Sequence, residues 1–272
     1  MLGRIAYTDK HLQSNMPLSN LREITLEWWD AQSGIGAYHV LPIFRLTSLH
    51  SFHGKMICDR DNNNDSNTND NNSGGFADLI NTSKRLESFV FEHSEPNYSE
   101  DKNIYASQLY SLLHKHRNSL QEIVLAYNKL TGSKYYGWDY IRSFVDFTAL
   151  KKLRLRSTNT LKDVLPPSLE TLIIDGMQRA QIEESANGFA ILLSGENPHC
   201  LFLRYVEITS DWMSEEQSTE ESILRPRPIP DMLPEYASFK DTIESFCSGA
   251  GVEFCLRDLH VEHIIEENRS SQ

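Results

Sequence analysis

The sequence predicts an α/β repeat stack, a horseshoe or solenoid with short parallel strands on its concave face. Three observations lead there. The phrase leucine-x-x-apolar-x-apolar recurs in seven approximate copies. Its leading leucines are separated by 28, 37, 34, 30, 19 and 34 residues, intervals on the scale of one supersecondary unit each. Apolar segments lie between the copies, where a chain must return to begin the next strand. One copy has too little surface to bury its own apolar face, so stacking is the arrangement that satisfies all of them.

The elements follow in order. Residues 1–20 form an N-terminal cap or leader, with Met16-Pro17-Leu18 running into the first copy, Leu21-x-x-Ile24-x-Leu26. Leu49-x-x-Phe52 is the second copy. Residues 59–75, rich in Asn, Asp and Ser and ending in Gly-Gly, have the composition of a disordered insertion that lengthens one interval without adding a repeat. Phe76 to Ile80 predict a short helical turn before the third copy, Leu86-x-x-Phe89-x-Phe91. Residues 104–117 carry a helical apolar stripe of Ile104, Ala106, Leu109, Leu112 and Leu113. His114, Lys115, His116 and Arg117 suit the end of that helix. The fourth copy is Leu120-x-x-Ile123-x-Leu125.

Ile141, Phe144, Val145 and Phe147 predict another short helical return before Leu150-x-x-Leu153-x-Leu155. Pro166 and Pro167 forbid a long helix in the shortest interval, so the link to Leu169-x-x-Leu172-x-Ile174 must be extended or tight. Phe189 to Leu193 predict a return before Leu203-x-x-Val206-x-Ile208. Residues 210–235, acidic and rich in Ser and Pro, form an irregular excursion. Tyr236, Phe239, Ile243 and Phe246 then recur at helical spacing, and Gly249 and Gly251 punctuate the end. Val252, Phe254 and Leu256 alternate as a final strand. The whole of 1–272 is expected to form a single stacked domain.

Composition sets outer bounds. The chain has 272 residues, 39% of them apolar, enough for a long continuous core. Its net charge of -12 disfavours a broad nucleic-acid-binding surface. No apolar run reaches membrane-spanning length, and no secretory signal is expected at the N-terminus. Cys58, Cys200, Cys247 and Cys255 include no Cys-x-x-Cys pair and are expected to be reduced, buried thiols of a cytoplasmic or nuclear protein.

Several connected segments carry a family likeness. These are Leu86-Glu87-Ser88-Phe89, the run from Leu112 through Ser119-Leu120, Phe147-Thr148-Ala149-Leu150-Lys151-x-Leu153, and Pro166-Pro167-Ser168-Leu169-Glu170-x-Leu172. Across roughly residues 20–256 the chain resembles the irregular leucine-rich-repeat region of fungal F-box-like or related repeat proteins. The resemblance implies an α/β horseshoe. In an F-box protein such a region recognises the substrate of a ubiquitin ligase, which would bring a Skp1-like adaptor as a second partner. The N-terminus departs from that pattern: Met16-Pro17-Leu18 leads almost directly into the first copy, in place of the early Leu-Pro-containing amphipathic segment expected of an F-box.

Alternation leaves a second strand face between the leucines. It comprises Glu23, Thr25 and Glu27; Ser51, His53 and Lys55; Ser88, Val90 and Glu92; and Glu122, Val124 and Ala126. It continues with Lys152, Arg154 and Arg156; Thr171, Ile173 and Asp175; and Tyr205, Glu207 and Thr209. This face is either a mixed solvated surface or a protein-binding one. Lys152, Arg154 and Arg156 form its most distinctive patch, suited to an acidic segment of a partner. Tyr135, Tyr136, Trp138 and Tyr140 form an aromatic loop that either caps the core or supplies a binding hot spot. Trp28 and Trp29 follow the first strand, one expected to seal the end of the stack and the other to reach the concave rim, with Trp28 the binding candidate. His50 and His53 near Cys58, and His114 with His116, do not have the spacing of a metal or catalytic set. No cofactor or enzyme motif is present. The expected function is a noncatalytic protein-interaction module, with ligase substrate recognition as the alternative and an unassigned enzyme behind both.

Overall fold

The computed structural model describes residues 22–27, 47–55, 80–93, 106–127, 143–156, 165–177, 182–193, 201–210 and 231–270. The chain divides into two compact units, the first comprising Met1–Arg142 with Asp146–Leu150, the second Ser143–Val145 with Lys151–Gln272. The N-terminal leader 1–20, the insertion 59–75 and the greater part of the excursion, 211–230, lie outside the described residues. Ser210 ends a strand and Pro234 opens a helix, so both ends of the predicted excursion belong to regular elements.

In the first unit, β1 (Glu23–Glu27), β2 (Ser51–Lys55), β3 (Ser88–His93) and β4 (Glu122–Tyr127) pair in parallel, each with the next. The register aligns Ile24, Phe52, Phe89 and Ile123 across all of them, the second apolar position of each phrase. These residues are buried, as are the leading leucines Leu49, Leu86 and Leu120. Phe52 and Phe89 stack with centroids 5.4 Å apart. Helix α1 (Ala106–His114) supplies the return from β3 to β4, and Leu113 is its buried anchor.

The second unit repeats the plan with β5 (Lys152–Arg156), β6 (Thr171–Asp175), β7 (Tyr205–Ser210) and β8 (Glu253–Asp258), again parallel and adjacent in sequence order. Its core row is Leu153, Leu172, Val206 and Phe254. Helix α2 (Ile182–Leu193) returns from β6, α3 (Pro234–Ala250) precedes β8, and the two helices pack together. Tyr236, Phe239 and Ile243 face inward at the predicted helical spacing; the fourth inward position is Cys247 in place of the predicted Phe246, which is exposed. A last helix, α4 (Leu259–Ser270), follows β8 directly.

The bends before β2, β3, β4, β6 and β7 share one mechanism. One carbonyl of the preceding repeat accepts two successive backbone N–H groups of the next. Arg22 accepts from His50 and Ser51, His50 from Glu87 and Ser88, and Glu87 from Gln121 and Glu122. In the second unit Lys151 accepts from Glu170 and Thr171, and Glu170 from Arg204 and Tyr205. Hydroxyls reinforce the spine: Ser83 donates to the Leu49 carbonyl and Ser119 to that of Leu86, both at 2.7 Å. Buried backbone groups are thereby paired where no regular ladder serves them.

The parallel α/β stack is thus present in each unit, with one local correction. Residues 143–150 form turns rather than the expected helical return. Phe144 and Phe147 are buried as expected, but Val145 is exposed. The segment is too short to offset the cost of nucleating a helix, and two aromatics with a β-branched residue add to that cost. The proline link behaves as expected: residues 167–168 turn tightly between buried Leu165 and Leu169.

Candidate functional site

Parallel register places the alternate residues of the second unit in rows. Lys152, Thr171, Tyr205 and Glu253 form the first, and Arg154, Ile173, Glu207 and Cys255 the second. At the third, Arg156 is paired with Asp175 and Thr209 with Arg257. Period-two alternation forces these residues onto the face opposite Leu153, Leu172 and Val206. Lys152 and Arg154 therefore stand on one strand face, and Arg156 holds the next alternate backbone position of β5.

Their electrostatic setting is not a bare basic patch. Arg154 forks onto Asp175, its Nε donating to Oδ2 at 2.7 Å and its Nη2 to Oδ1 at 3.2 Å. Thr209 donates to the same Oδ1 at 3.1 Å, and Gly176 N–H donates to Thr209 Oγ1 at 3.4 Å. The Asp175 side chain is only 10% exposed against 36% for Arg154. Arg154 thus stitches β5 to β6 and balances a nearly buried carboxylate. Lys152 lies on the same strand face, and Arg156 is placed by its backbone register.

A second network adjoins it. Arg257 donates from Nε to Glu262 Oε1 at 2.8 Å, from Nη2 to Glu262 Oε2 at 2.7 Å, and from Nη1 to Glu207 Oε1 at 2.9 Å. Tyr205 Oη donates to the other oxygen of Glu207 at 2.8 Å. The hydrogen bonds it donates to Glu262 and then to Glu207 hold the guanidinium above its ordinary pKa, outweighing burial. Burial first, then the Glu207 hydrogen bond and charge, raises the Tyr205 phenol as well. In this network one arginine and one tyrosine hold two carboxylates.

The first unit presents a different face. Ser88 donates to Glu122 at 2.7 Å, and His53 lies 3.6 Å from Glu92. Val124 in the same row set is buried, so this face is less open than alternation alone implies. His114 Nε2 is 3.3 Å from Asp146, while His116 points to the Ile80 carbonyl at 3.1 Å. These two histidines diverge, as their spacing predicts. Among the described residues, no group of three His, Cys, Asp or Glu side chains is arranged to hold a metal ion. Among the described residues, no helix is long and apolar enough to cross a membrane. Tyr135, Tyr136, Trp138, Tyr140, Trp28 and Trp29, like Cys58 and Cys200, lie outside the described residues.

A leucine-rich repeat domain profile matches residues 4–226, most of the chain and both strand ladders up to β7. The chain belongs to the leucine-rich-repeat family. Searches of curated proteins and of solved structures returned no match. The leucine-rich-repeat match ends before α3, yet β8 pairs in register with β7 over its full length. The repeat ladder therefore continues beyond the matched residues.

Sequence reasoning placed Arg154, Asp175 and Glu207 on one face but not in these pairings. It missed Arg257, Glu262 and α4 altogether. A signal was available: extending the Val252, Phe254, Leu256 alternation assigns Arg257 to the opposite face. Val261, Ile264 and Ile265 then recur at helical spacing.

Proposed function

We propose that this leucine-rich-repeat protein is a noncatalytic protein-interaction module of the cytoplasm or nucleus. Its binding surface is the open strand face of the second unit, and its partner presents an acidic segment there. The observation that carries the reading is the row arrangement of Lys152, Arg154 and Arg156 on one strand beside the polar residues of β6 and β7. Repeat stacks favour such work because every strand contributes side chains to one extended surface. Lys152 and Arg156 are the cations we assign to the partner, and Arg154, forked onto Asp175, positions the row.

The test is a double charge reversal, Lys152→Glu with Arg156→Glu, leaving Arg154 in place. Binding of a fluorescent hexaglutamate peptide to the full chain is measured by anisotropy. Affinity capture from a fungal host, the source implied by the family resemblance, runs in parallel. The variant is expected to bind at least about tenfold more weakly, since two attractive contacts become repulsive. Equal affinity, with an unchanged unfolding midpoint, overturns the reading. Direct binding of a Skp1-like adaptor to the full chain would instead favour the ligase-receptor function that the F-box resemblance implies.

A further inference from the structure

Helix α4 meets the strand face through Arg257. Arg257 stands in the same alternate set as Glu207 and Thr209, opposite the core row of Val206 and Phe254. Its guanidinium reaches Glu207 on β7 and, with its other edge, the carboxylate of Glu262 in the first turn of α4. The helix contacts both β7 and β8, and Ile264 within it is 2% exposed. Asp258 Oδ1 accepts the Val261 N–H at 3.3 Å, so the chain turns from strand into helix without a linker. The helix also brings Glu266, one turn beyond Glu262.

We infer that α4 is a displaceable strap, an acidic helix of the chain itself that Arg257 latches over the β7–β8 end of the strand face. Glu262 holds there the place of a partner's carboxylate. This rests on the acidic-ligand reading above and adds its regulation: an acidic segment that extends along the face competes with Glu262 for Arg257. The ion-pair part of the latch is weak, and the burial of Ile264 supplies the apolar part that opening must also release. Both members are more than one-third exposed, Arg257 by 42% and Glu262 by 39%. A pair in that setting shifts a closing equilibrium by no more than about fivefold. Arg257 keeps Glu207 when the strap leaves, so opening strands no unpaired guanidinium. A permanent end cap would instead need its buried charge partners to be irreplaceable.

The experiment uses the full chain carrying Glu262→Gln, which removes the charge and retains shape, with Arg257→Lys as a second variant that loses the fork. Hydrogen exchange is followed separately over α4 and β7, and hexaglutamate binding is measured alongside. In both variants exchange of α4 is expected to rise up to about fivefold, with β7 unchanged. Glu262→Gln should also bind the peptide up to about fivefold more tightly. Unchanged α4 exchange overturns the strap, as does loss of protection in α4 and β7 together. If wild type binds the peptide and opening α4 leaves the affinity unchanged, the strap fails while the acidic-ligand reading stands. If neither wild type nor variant binds, both fail.

Discussion

Arg154 and Arg257 both fork onto carboxylates, but their neighbours give the two forks different work. Asp175 is nearly buried and also accepts from Thr209, so Arg154 cannot leave without stranding a carboxylate. Arg257 has two carboxylates and can release one. Neither commitment follows from the strand pattern, which fixes the face of a residue but not its diagonal neighbour. His116 illustrates the same limit. Its basic neighbours in sequence suggest a helix terminus, yet it lies beyond α1, buried, with Nε2 donating to the Ile80 carbonyl. Burial lowers its pKa below 6.5, helped by Lys115 and opposed by the Ile80 bond. Above the unfolded value both states hold neutral imidazole. As pH falls through about 6.5 the unfolded chain takes up the proton first, so folding stability is lost until the folded ring also protonates. Urea midpoints at about pH 7.5 and about pH 5.5 should therefore fall further for wild type than for His116→Gln. Equal falls would remove His116 from the acid sensitivity of the fold.

At the scale of elements, the recurring phrase made the strands legible because each of its positions has one physical use. The leading leucine fills the bend, the two later apolar positions face the core, and the rest turn away. The returns were less legible. Residues 236–247 carry helical periodicity and form part of α3, whereas 143–150 carry similar apolar content but form turns. Short apolar runs do not distinguish these outcomes, since tertiary packing decides them. The two glycines near the end of α3 separate helix interior from cap. Gly251 adopts φ 70° and its N–H bonds back toward Ser248, while Val252 N–H bonds to Cys247. A Cβ at either Gly249 or Gly251 would meet nothing within 4 Å, so backbone conformation alone sets the sign. Gly251→Ala should destabilise by about 1 kcal/mol, because the left-handed region penalises a side chain. Gly249→Ala lies inside the helix and should stabilise by about 0.5–1 kcal/mol. Chemical denaturation of both variants checks the pair, and shifts of the same sign would contradict the cap assignment.

For the whole molecule, the proposed acidic ligand meets a conflict between net and local charge. The chain carries -12 overall, so a distant polyanion is repelled. At contact, the proposed site would attract it through Lys152 and Arg156. Screening separates the two effects by range. The Debye length is about 10 Å at 0.1 M salt, longer than a direct ion contact but shorter than the span of a repeat stack. Low salt therefore exposes the chain's net repulsion chiefly in the association rate, whereas contact ion pairs govern dissociation. Raising salt from about 50 to about 300 mM should speed hexaglutamate association while speeding its dissociation more, so that equilibrium binding weakens. Stopped-flow anisotropy resolves both rates. If dissociation is indifferent to salt, the bound peptide is not held by Lys152 and Arg156, and the site must be sought elsewhere. The Lys152→Glu, Arg156→Glu variant closes the argument. With its local cations reversed, the net repulsion stands alone, and added salt should strengthen whatever binding remains.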